Sequence, residues 1–201
     1  MDFEDRNNLY KIRKTVLEMI SDRGFILNNE LLDINFEEFT LMYNNNNVNI
    51  FIDDEKLGKL YIYFHNEPKS ITKSDLKLLV SNLIKEYEDD ELKLIILLKE
   101  KGNGSILKEL NKESYKNVEI FMNKNMMFNI THHEYVPKHI ILNKDEEDII
   151  LEKYNTTKNK LPKILKSDPV VKYYGMKHDQ ICKIIRKSPE VGEYVYYRIV
   201  K

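Results

Sequence analysis

An amphipathic helix followed by a wholly apolar run constrains the fold of this 201-residue chain more than any other feature. Apolar residues recur on one helical face across Ser74–Tyr87. The five residues Leu94–Leu98 are all apolar, which is typical of a strand covered on both faces. Candidate strands at Lys59–Phe64 and Val118–Met122 precede and follow this pair. The order strand, helix, strand, helix, strand predicts a small α/β layer with parallel strands.

Further elements complete this N-terminal region. Apolar residues at helical spacing from Leu9 to Ile20 predict a first helix that ends at Gly24. Asn35 and Glu38 have the spacing of a capping box, as do Thr72 and Asp75 before the Ser74–Tyr87 helix. The remaining predicted elements are a helix at Phe36–Tyr43, a strand at Val48–Ile52 and a short helix at Ser105–Asn111.

The pattern changes at Thr131, where a second unit is predicted. Asn143 is placed to cap a helix, and Asp168-Pro169 is a typical helix start that Gly175 would close. The other predicted elements are extended segments at His133–Leu142 and Leu161–Ile164, a helix at Lys144–Tyr154, and strands at Gln180–Arg186 and Glu193–Val200. We therefore expect an α/β domain over residues 1–130 and a small α+β domain over residues 131–201.

Charge is divided unevenly between the two predicted domains. The whole chain has a formal net charge of -1, which excludes a global field that would draw it to nucleic acid or membrane. Residues 131–201 carry a net charge of +4, whereas residues 1–130 carry -5. A basic C-terminal domain fits an anionic partner, and a solvated lysine-rich surface explains the same count equally well.

Several function classes have no support in the sequence. The single cysteine, Cys182, excludes an intrachain disulfide and a cysteine-built zinc site, and its apolar neighbours predict that it is buried. Neither a signal peptide nor a membrane-spanning run is visible, so we expect a soluble intracellular protein. Nucleotide-binding, acyl-transfer and zinc-protease motifs are missing.

Two chemical alternatives remain open from the residues alone. His132, His133 and His139 invite a metal site, although adjacent residues of an extended chain point to opposite sides, which favours structural histidines. A Mg²⁺ nuclease would place carboxylates and a lysine at neighbouring strand ends. The candidates for that constellation are Asp53, Asp54, Glu67, Lys69, Glu91 and Lys93. Such matches are expected by chance in a chain this rich in Asp, Glu and Lys.

Five motifs in fixed order set the C-terminal block apart from a generic domain. They are Thr131-His132-His133-Glu134-Tyr135-Val136-Pro137-Lys138-His139, Leu161-Pro162-Lys163-Ile164, Asp168-Pro169-Val170, Lys183-Ile184-Ile185-Arg186-Lys187-Ser188 and Tyr196-Tyr197-Arg198. In order and spacing they closely resemble the assembly domain of the fifth subunit shared by eukaryotic RNA polymerases I, II and III, a family that also has archaeal members. Asp22-Arg23-Gly24-Phe25 and the Phe36–Tyr43 helix resemble the jaw domain of the same family.

The resemblance implies a non-catalytic subunit without cofactor or metal, built from a jaw domain and an assembly domain. In this family the assembly domain packs on the largest polymerase subunit, and the jaw lies beside downstream double-stranded DNA. The residues expected to face the largest subunit are His132, His133, Val136, Pro137, His139, Leu161, Pro162, Arg186, Tyr197 and Arg198. The lysine-flanked loop at the family's jaw tip predicts non-specific backbone contacts to DNA by Lys99, Lys101, Asn103 and Ser105.

Two further expectations follow from the resemblance. Archaeal members lack the jaw, so a jaw here predicts a eukaryotic or eukaryote-like viral polymerase, and the Asn-, Ile- and Lys-rich composition favours a protist or a large DNA virus. The protein would then lie in the nucleus, or in a viral factory or virion. Asp179 replaces the family's usual Gly before a strand, which predicts a turn in the left-handed conformation that Asp tolerates.

Overall fold

The fold was established from a computed structural model that describes residues 3–65, 71–99, 115–188 and 192–201. The chain forms two compact units, Met1–Phe128 and Asn129–Lys201. The domain limits expected from the sequence, 1–130 and 131–201, lie two residues from this division. Each unit has its own four-stranded sheet, so each is described separately below.

Besides a 3-10 turn at Asn123–Met126, the described residues of the N-terminal unit form four α-helices and four strands. They are α1 (Phe3–Asp22), α2 (Asn29–Leu32), α3 (Phe36–Asn44), β1 (Ile50–Asp54), β2 (Gly58–His65), α4 (Lys73–Tyr87), β3 (Lys93–Leu98) and β4 (Val118–Met122). The capping boxes predicted at Asn35 and Thr72 are both formed, and they begin α3 and α4. The helix expected at Ser105–Asn111 lies outside the described residues.

The sheet of this unit has the order β1-β2-β3-β4. Strands β2, β3 and β4 are mutually parallel, which confirms the parallel layer predicted from the sequence. Strand β1 pairs antiparallel with β2, because the three residues between them allow only a hairpin. The strand predicted at Val48–Ile52 lies two residues further along the chain, at Ile50–Asp54. Val48 is buried, as a strand residue would be, but it precedes the strand.

Helices cover both faces of this sheet. On one face, Leu76 and Leu83 of α4 pack against Leu94, Ile96 and Leu98 of β3. The other face carries Ile95 and Leu97, which are also buried. The end of α1 is fixed there by Arg23, whose guanidinium donates to both carboxylate oxygens of Glu119 at 2.9 and 2.8 Å. The prediction that Leu94–Leu98 forms a strand covered on both faces is therefore confirmed.

The C-terminal unit is smaller and mainly antiparallel. Its elements are a 3-10 turn (Ile130–His132), β5 (Lys138–Ile141), α5 (Lys144–Lys153), a 3-10 turn (Lys158–Lys160), β6 (Lys163–Ile164), α6 (Pro169–Tyr173), β7 (Ile181–Ser188) and β8 (Gly192–Val200). The sheet order is β5-β7-β8-β6, with β6 parallel to β8 and the other pairs antiparallel. The core comprises Ile164, Val171, Met176, Cys182, Ile184 and Val200.

Local predictions in this unit are largely confirmed. Asn143 caps α5 in a capping box, and Asp168 caps α6 with Pro169 in the first turn. Asp179 has φ = 67°, the left-handed conformation expected for a residue replacing Gly. Cys182 is fully buried, and this burial raises the pKa of its thiol.

The extended segment predicted at His133–Leu142 is only partly correct. Only Lys138–Ile141 is a strand. Residues 133–136 form a turn in which the Val136 amide donates to the His133 carbonyl at 2.9 Å, directly after the Ile130–His132 turn. Asn129 imposes that turn, because its side-chain oxygen accepts hydrogen bonds from the Thr131 amide and hydroxyl. Its side-chain nitrogen also donates to the Tyr173 hydroxyl at 2.9 Å, which ties the turn to α6.

In the part of the chain that the structure describes, no helix combines the length and apolarity needed to cross a membrane.

Candidate partner-docking and DNA-proximal surfaces

The adjacent histidines of the first motif are both exposed, but they occupy different backbone conformations. His132 ends the Ile130–His132 turn, whereas His133 is extended. The His133 Nδ1 accepts a hydrogen bond from the Tyr135 amide at 3.2 Å, so this nitrogen carries no proton in that arrangement. Tyr135 itself is 81% exposed. Two imidazoles and a phenol are therefore available at the surface of this turn.

His139 differs from the other two histidines because its side chain is buried within the domain. Its Nδ1 lies 2.7 Å from the Pro137 carbonyl oxygen. A carbonyl only accepts, so Nδ1 must carry the proton and donate it. Burial lowers the pKa of His139, with the Pro137 hydrogen bond acting in the opposite direction. The ring is thus held neutral, and it stabilises the entry to β5 more than it offers a contact to a partner.

The apolar residues expected at the interface are accessible to different degrees. Pro162 is exposed, whereas Val136, Pro137 and Leu161 are half-buried. The Pro162 carbonyl accepts a hydrogen bond from the Ile199 amide at 2.9 Å, so the backbone here belongs to the sheet while the ring faces outward. Prolines lose little conformational entropy on binding, which suits a preformed docking surface.

Arginine and tyrosine alternate along the outer part of the β7–β8 hairpin. Arg186 is paired with Tyr194 across the two strands and hydrogen bonds to it, which raises the pKa of Arg186. The Tyr194 and Tyr196 rings stack with centroids 6.0 Å apart. The Arg198 guanidinium lies 5.7 Å from the Tyr196 ring centroid and donates to the Lys163 carbonyl at 3.3 Å. The cations are therefore held in place before any partner arrives.

Tyr197 lies on the opposite face of β8 from this ladder. Its ring centroid is 5.9 Å from that of Tyr154, the residue that follows α5. Tyr197 is consequently half-buried within its own domain, while Tyr154 is 55% exposed. The two rings together form an aromatic surface, of which the sequence predicted only Tyr197.

Glu147 is a buried carboxylate that the sequence did not single out. One of its oxygens accepts from the Ile181 amide at 2.8 Å, and the other accepts from Lys158. Lys158 also donates to the Asp179 carbonyl at 3.1 Å. Glu147 thus joins α5 to the left-handed turn before β7. An acidic residue within a run of acidic residues gave no sequence signal for this role.

Of the predicted DNA-proximal residues, Lys99 is described and follows β3 directly. Its ammonium lies 3.1 Å from both carboxylate oxygens of Asp5 in α1. This exposed pair offsets part of the positive charge that DNA would meet at this point. The predictions for Lys101, Asn103 and Ser105 fall outside the described residues.

The geometry gives little support to a nuclease centre. Asp54 is buried, and its carboxylate accepts hydrogen bonds from three backbone amides, those of Ile26, Lys56 and Leu57. These bonds, first that of Ile26, lower the pKa of Asp54 and occupy oxygens that a metal would need. Lys93, the candidate lysine of that centre, is likewise engaged in a structural contact, because its ammonium donates to the Leu57 carbonyl at 2.5 Å.

Two other nuclease candidates, Glu67 and Lys69, lie outside the described residues. Within the described ranges, no three His, Cys, Asp or Glu side chains are grouped so that they could hold a metal ion.

Comparison with known proteins decides the family. The model of the RNA polymerase Rpb5 C-terminal domain matches residues 128–200, and that of the RNA polymerase Rpb5 N-terminal domain matches residues 4–83. A protein of Dictyostelium discoideum named DNA-directed RNA polymerases I, II, and III subunit rpabc1 is 32% identical over 201 residues, 98% of each chain. The chain belongs to the Rpb5 family of RNA polymerase subunits.

Nematode relatives extend the same likeness. The Caenorhabditis elegans and Caenorhabditis briggsae proteins named DNA-directed RNA polymerases I, II, and III subunit RPABC1 are 28% and 29% identical to this chain. In both cases 96% of this chain and 95% of the relative are aligned. The resemblance drawn from the five motifs is thereby confirmed, and both Rpb5 domains are represented in one chain.

Proposed function

We propose that this chain is a non-catalytic subunit of a multisubunit DNA-directed RNA polymerase. Its C-terminal unit docks on the largest subunit, and its N-terminal unit acts as a jaw near downstream double-stranded DNA. The protein is then located wherever that polymerase acts. The family supports the subunit role, and the observation that carries the docking role is the preformed Arg–Tyr ladder on β7 and β8.

The ladder has the composition of an interface centre. Tyrosine and arginine are enriched among the residues that dominate binding energies at protein interfaces. Arg186 is exposed, and Arg198 and Tyr196 are half-buried without a partner protein. The docking surface of our proposal comprises His132, His133, Val136, Pro137, Leu161, Pro162, Arg186, Arg198 and, on the opposite face of β8, Tyr197. His139 supports this surface from inside the domain.

A weak, non-specific DNA contact fits the N-terminal unit better than strong binding. Residues 1–130 have a net charge of -5, so they repel a polyanion at long range. Lys99 and the adjoining Lys101, Asn103 and Ser105 would meet only the phosphate backbone. On this proposal the DNA is held by the polymerase as a whole more than by this chain.

Incorporation into the polymerase tests the proposal directly. Tagged full-length variants are produced in the native source, and the two largest polymerase subunits are quantified in the purified material. We expect Arg198→Glu to reduce their recovery roughly tenfold, because reversing a positioned interface charge costs more than about 1.4 kcal/mol. Lys101→Glu should leave recovery close to the wild-type value.

Two controls separate docking from folding. Arg198→Lys keeps the positive charge but loses the planar fork, so its loss should be intermediate. Thermal unfolding of each free variant shows whether the domain itself is affected. Wild-type protein that recovers neither large subunit in stoichiometric amount would contradict the proposed function. Equal recovery with Arg198→Glu and Lys101→Glu would show that the interface lies elsewhere.

A further inference from the structure

Within the described part of the chain, strand β8 has no neighbouring strand along most of one side. On its inner side β8 pairs with β7 from Gly192 to Ile199. On its outer side β6 pairs only with Ile199 and Val200. Among the described residues, no strand pairs with the outer side of β8 between Glu193 and Arg198. The sheet therefore has an open edge immediately beside β6.

Alternation of the backbone shows which groups face this open edge. The Ile199 amide points outward, since it donates to the Pro162 carbonyl at 2.9 Å. The Val200 amide points inward and donates to the Gln180 carbonyl at 3.0 Å. Backbone groups of a strand alternate between its two sides. The amides of Val195 and Tyr197 must therefore point outward, like that of Ile199.

The open edge lacks the features that usually protect such a strand. Exposed edges are commonly blunted by lysine, proline, bulges or very short length. Strand β5 begins after Pro137 with the exposed Lys138, and β6 is only two residues long. In contrast, Glu193–Arg198 contains neither lysine nor proline, and Tyr194 and Val195 are 38% and 41% exposed. An edge of this composition is suited to pairing with another strand.

The charge around this edge indicates what kind of strand it accepts. The described residues of β6, β7 and β8 include five cations, Lys163, Lys183, Arg186, Lys187 and Arg198. The one carboxylate among them is Glu193, whose Oε1 lies 3.8 Å from the Lys187 ammonium. Arg198 on β8 and Lys163 on β6 lie nearest to an added strand, whereas the three cations of β7 are one strand further away. Opposite charges on neighbouring strands stabilise their pairing. A segment that carries carboxylates is therefore favoured over a neutral or basic one.

We propose that an extended, carboxylate-bearing segment of the polymerase subunit on which this chain docks adds to the sheet along Glu193–Tyr197. The added strand continues the line of β6 and hydrogen bonds to the Val195 and Tyr197 backbones. Its carboxylates lie next to Arg198 and its apolar residues next to Val195. This inference rests on the proposed function. To docking through side chains it adds backbone pairing with a strand that carries carboxylates.

Amide hydrogen exchange distinguishes strand addition from docking by side chains alone. Exchange is measured at single-residue resolution for the free full-length chain and for the chain within the purified polymerase. We expect the Val195 and Tyr197 amides to exchange roughly tenfold more slowly in the polymerase, while the inward Arg198 amide is slow in both samples. Unchanged exchange at Val195 and Tyr197 in an intact polymerase would overturn the proposal.

Two substitutions at one position supply an independent test. Val195→Pro removes an outward amide without removing a hydrogen bond to β7. Val195→Thr keeps that amide and the β-branched shape, so it is the matched control. We expect Val195→Pro to reduce recovery of the large subunits roughly tenfold relative to Val195→Thr, through a lost hydrogen bond and a carbonyl left unpaired.

Each outcome bears on a separate statement. If the wild-type chain recovers the large subunits and the two Val195 variants recover them equally, strand addition is wrong while the proposed function stands. If the wild-type chain recovers neither subunit, the proposed function itself fails. Should Val195→Pro not fold, Val195→Lys takes its place, because an edge lysine opposes strand pairing without removing an amide. Recovery with Val195→Lys equal to that with Val195→Thr also overturns strand addition.

Discussion

Strands β3 and β8 show how differently the two units use a β-strand. All residues of β3 from Leu94 to Leu98 are buried, because helices cover both faces of its sheet and strands flank it on both sides. In β8 only Ile199 and Val200 are buried. One strand is wholly internal, whereas the other is anchored at one end and presents the rest of its length. The two strands thus contribute differently: β3 belongs wholly to the core of its unit, whereas most of β8 is left for the partner that we propose.

The largest expected effect tests whether β3 is a core strand and β8 is not. Ile96→Ala should lower the free energy of unfolding of the N-terminal unit by about 3 kcal/mol, through lost apolar burial and the cavity that remains. Val195→Ala should change the stability of the free protein by less than about 0.5 kcal/mol. The free energies of unfolding of the two variants are measured by denaturant unfolding, which is monitored separately for each unit. Similar losses of stability for both variants would contradict the difference drawn here between β3 and β8.

A smaller effect is expected from the buried carboxylate of Glu147 in the C-terminal unit, which pairs with the half-buried Lys158. Glu147→Ala removes the carboxylate that accepts from the Ile181 amide and from Lys158, and the amide is left unpaired. We expect a loss of about 2 kcal/mol in the free energy of unfolding. Glu152→Ala, an exposed change on the same helix, is the control and should be nearly neutral. If both variants unfold at the same denaturant concentration, Glu147 does not organise this unit.

The smallest effect is a pH dependence confined to the C-terminal unit. The pKa of His139 is lowered by burial, so the folded state binds a proton less readily than the unfolded state. Its contribution to stability is complete above the unfolded pKa and declines as the pH falls through it, roughly from pH 7 to pH 5. His139→Gln should flatten this part of the pH profile of unfolding. An unaltered profile would show that another group causes the decline.

Local signals made much of the fold predictable. Capping boxes at Asn35, Thr72 and Asn143 fix helix starts through contacts within four residues, so the sequence contains all the necessary information. The run Leu94–Leu98 likewise indicates burial by composition alone. Motif order and spacing were sufficient to identify the family even at 32% identity to a curated relative.

Features that depend on distant residues were not predictable. Extended chain was expected from His133, but residues 133–136 form a turn in which the Val136 amide donates to the His133 carbonyl. The Ile130–His132 turn just before it is tied by Asn129 to Tyr173, which is 44 residues away. His139 was expected at the surface, but its burial depends on packing that no local pattern encodes. The open side of β8 depends on how far β6 extends, and pairing length is a property of the assembled sheet. The residues of the proposed docking surface therefore stay a prediction from the motifs, and the backbone edge of β8 was not predicted at all.

The open edge of β8 has a consequence for how much of this chain is made relative to its partner. Two free copies of this chain present the same unpaired amides and carbonyls to each other, and edges of this kind can pair with their own kind. Chains made in excess of their partner would then associate with one another at a rate that rises with concentration. If a larger subunit adds a strand here as we propose, a cell that matches the synthesis of the two chains keeps the edge occupied. On this proposal, balanced production follows from the hydrogen-bonding pattern of a single strand.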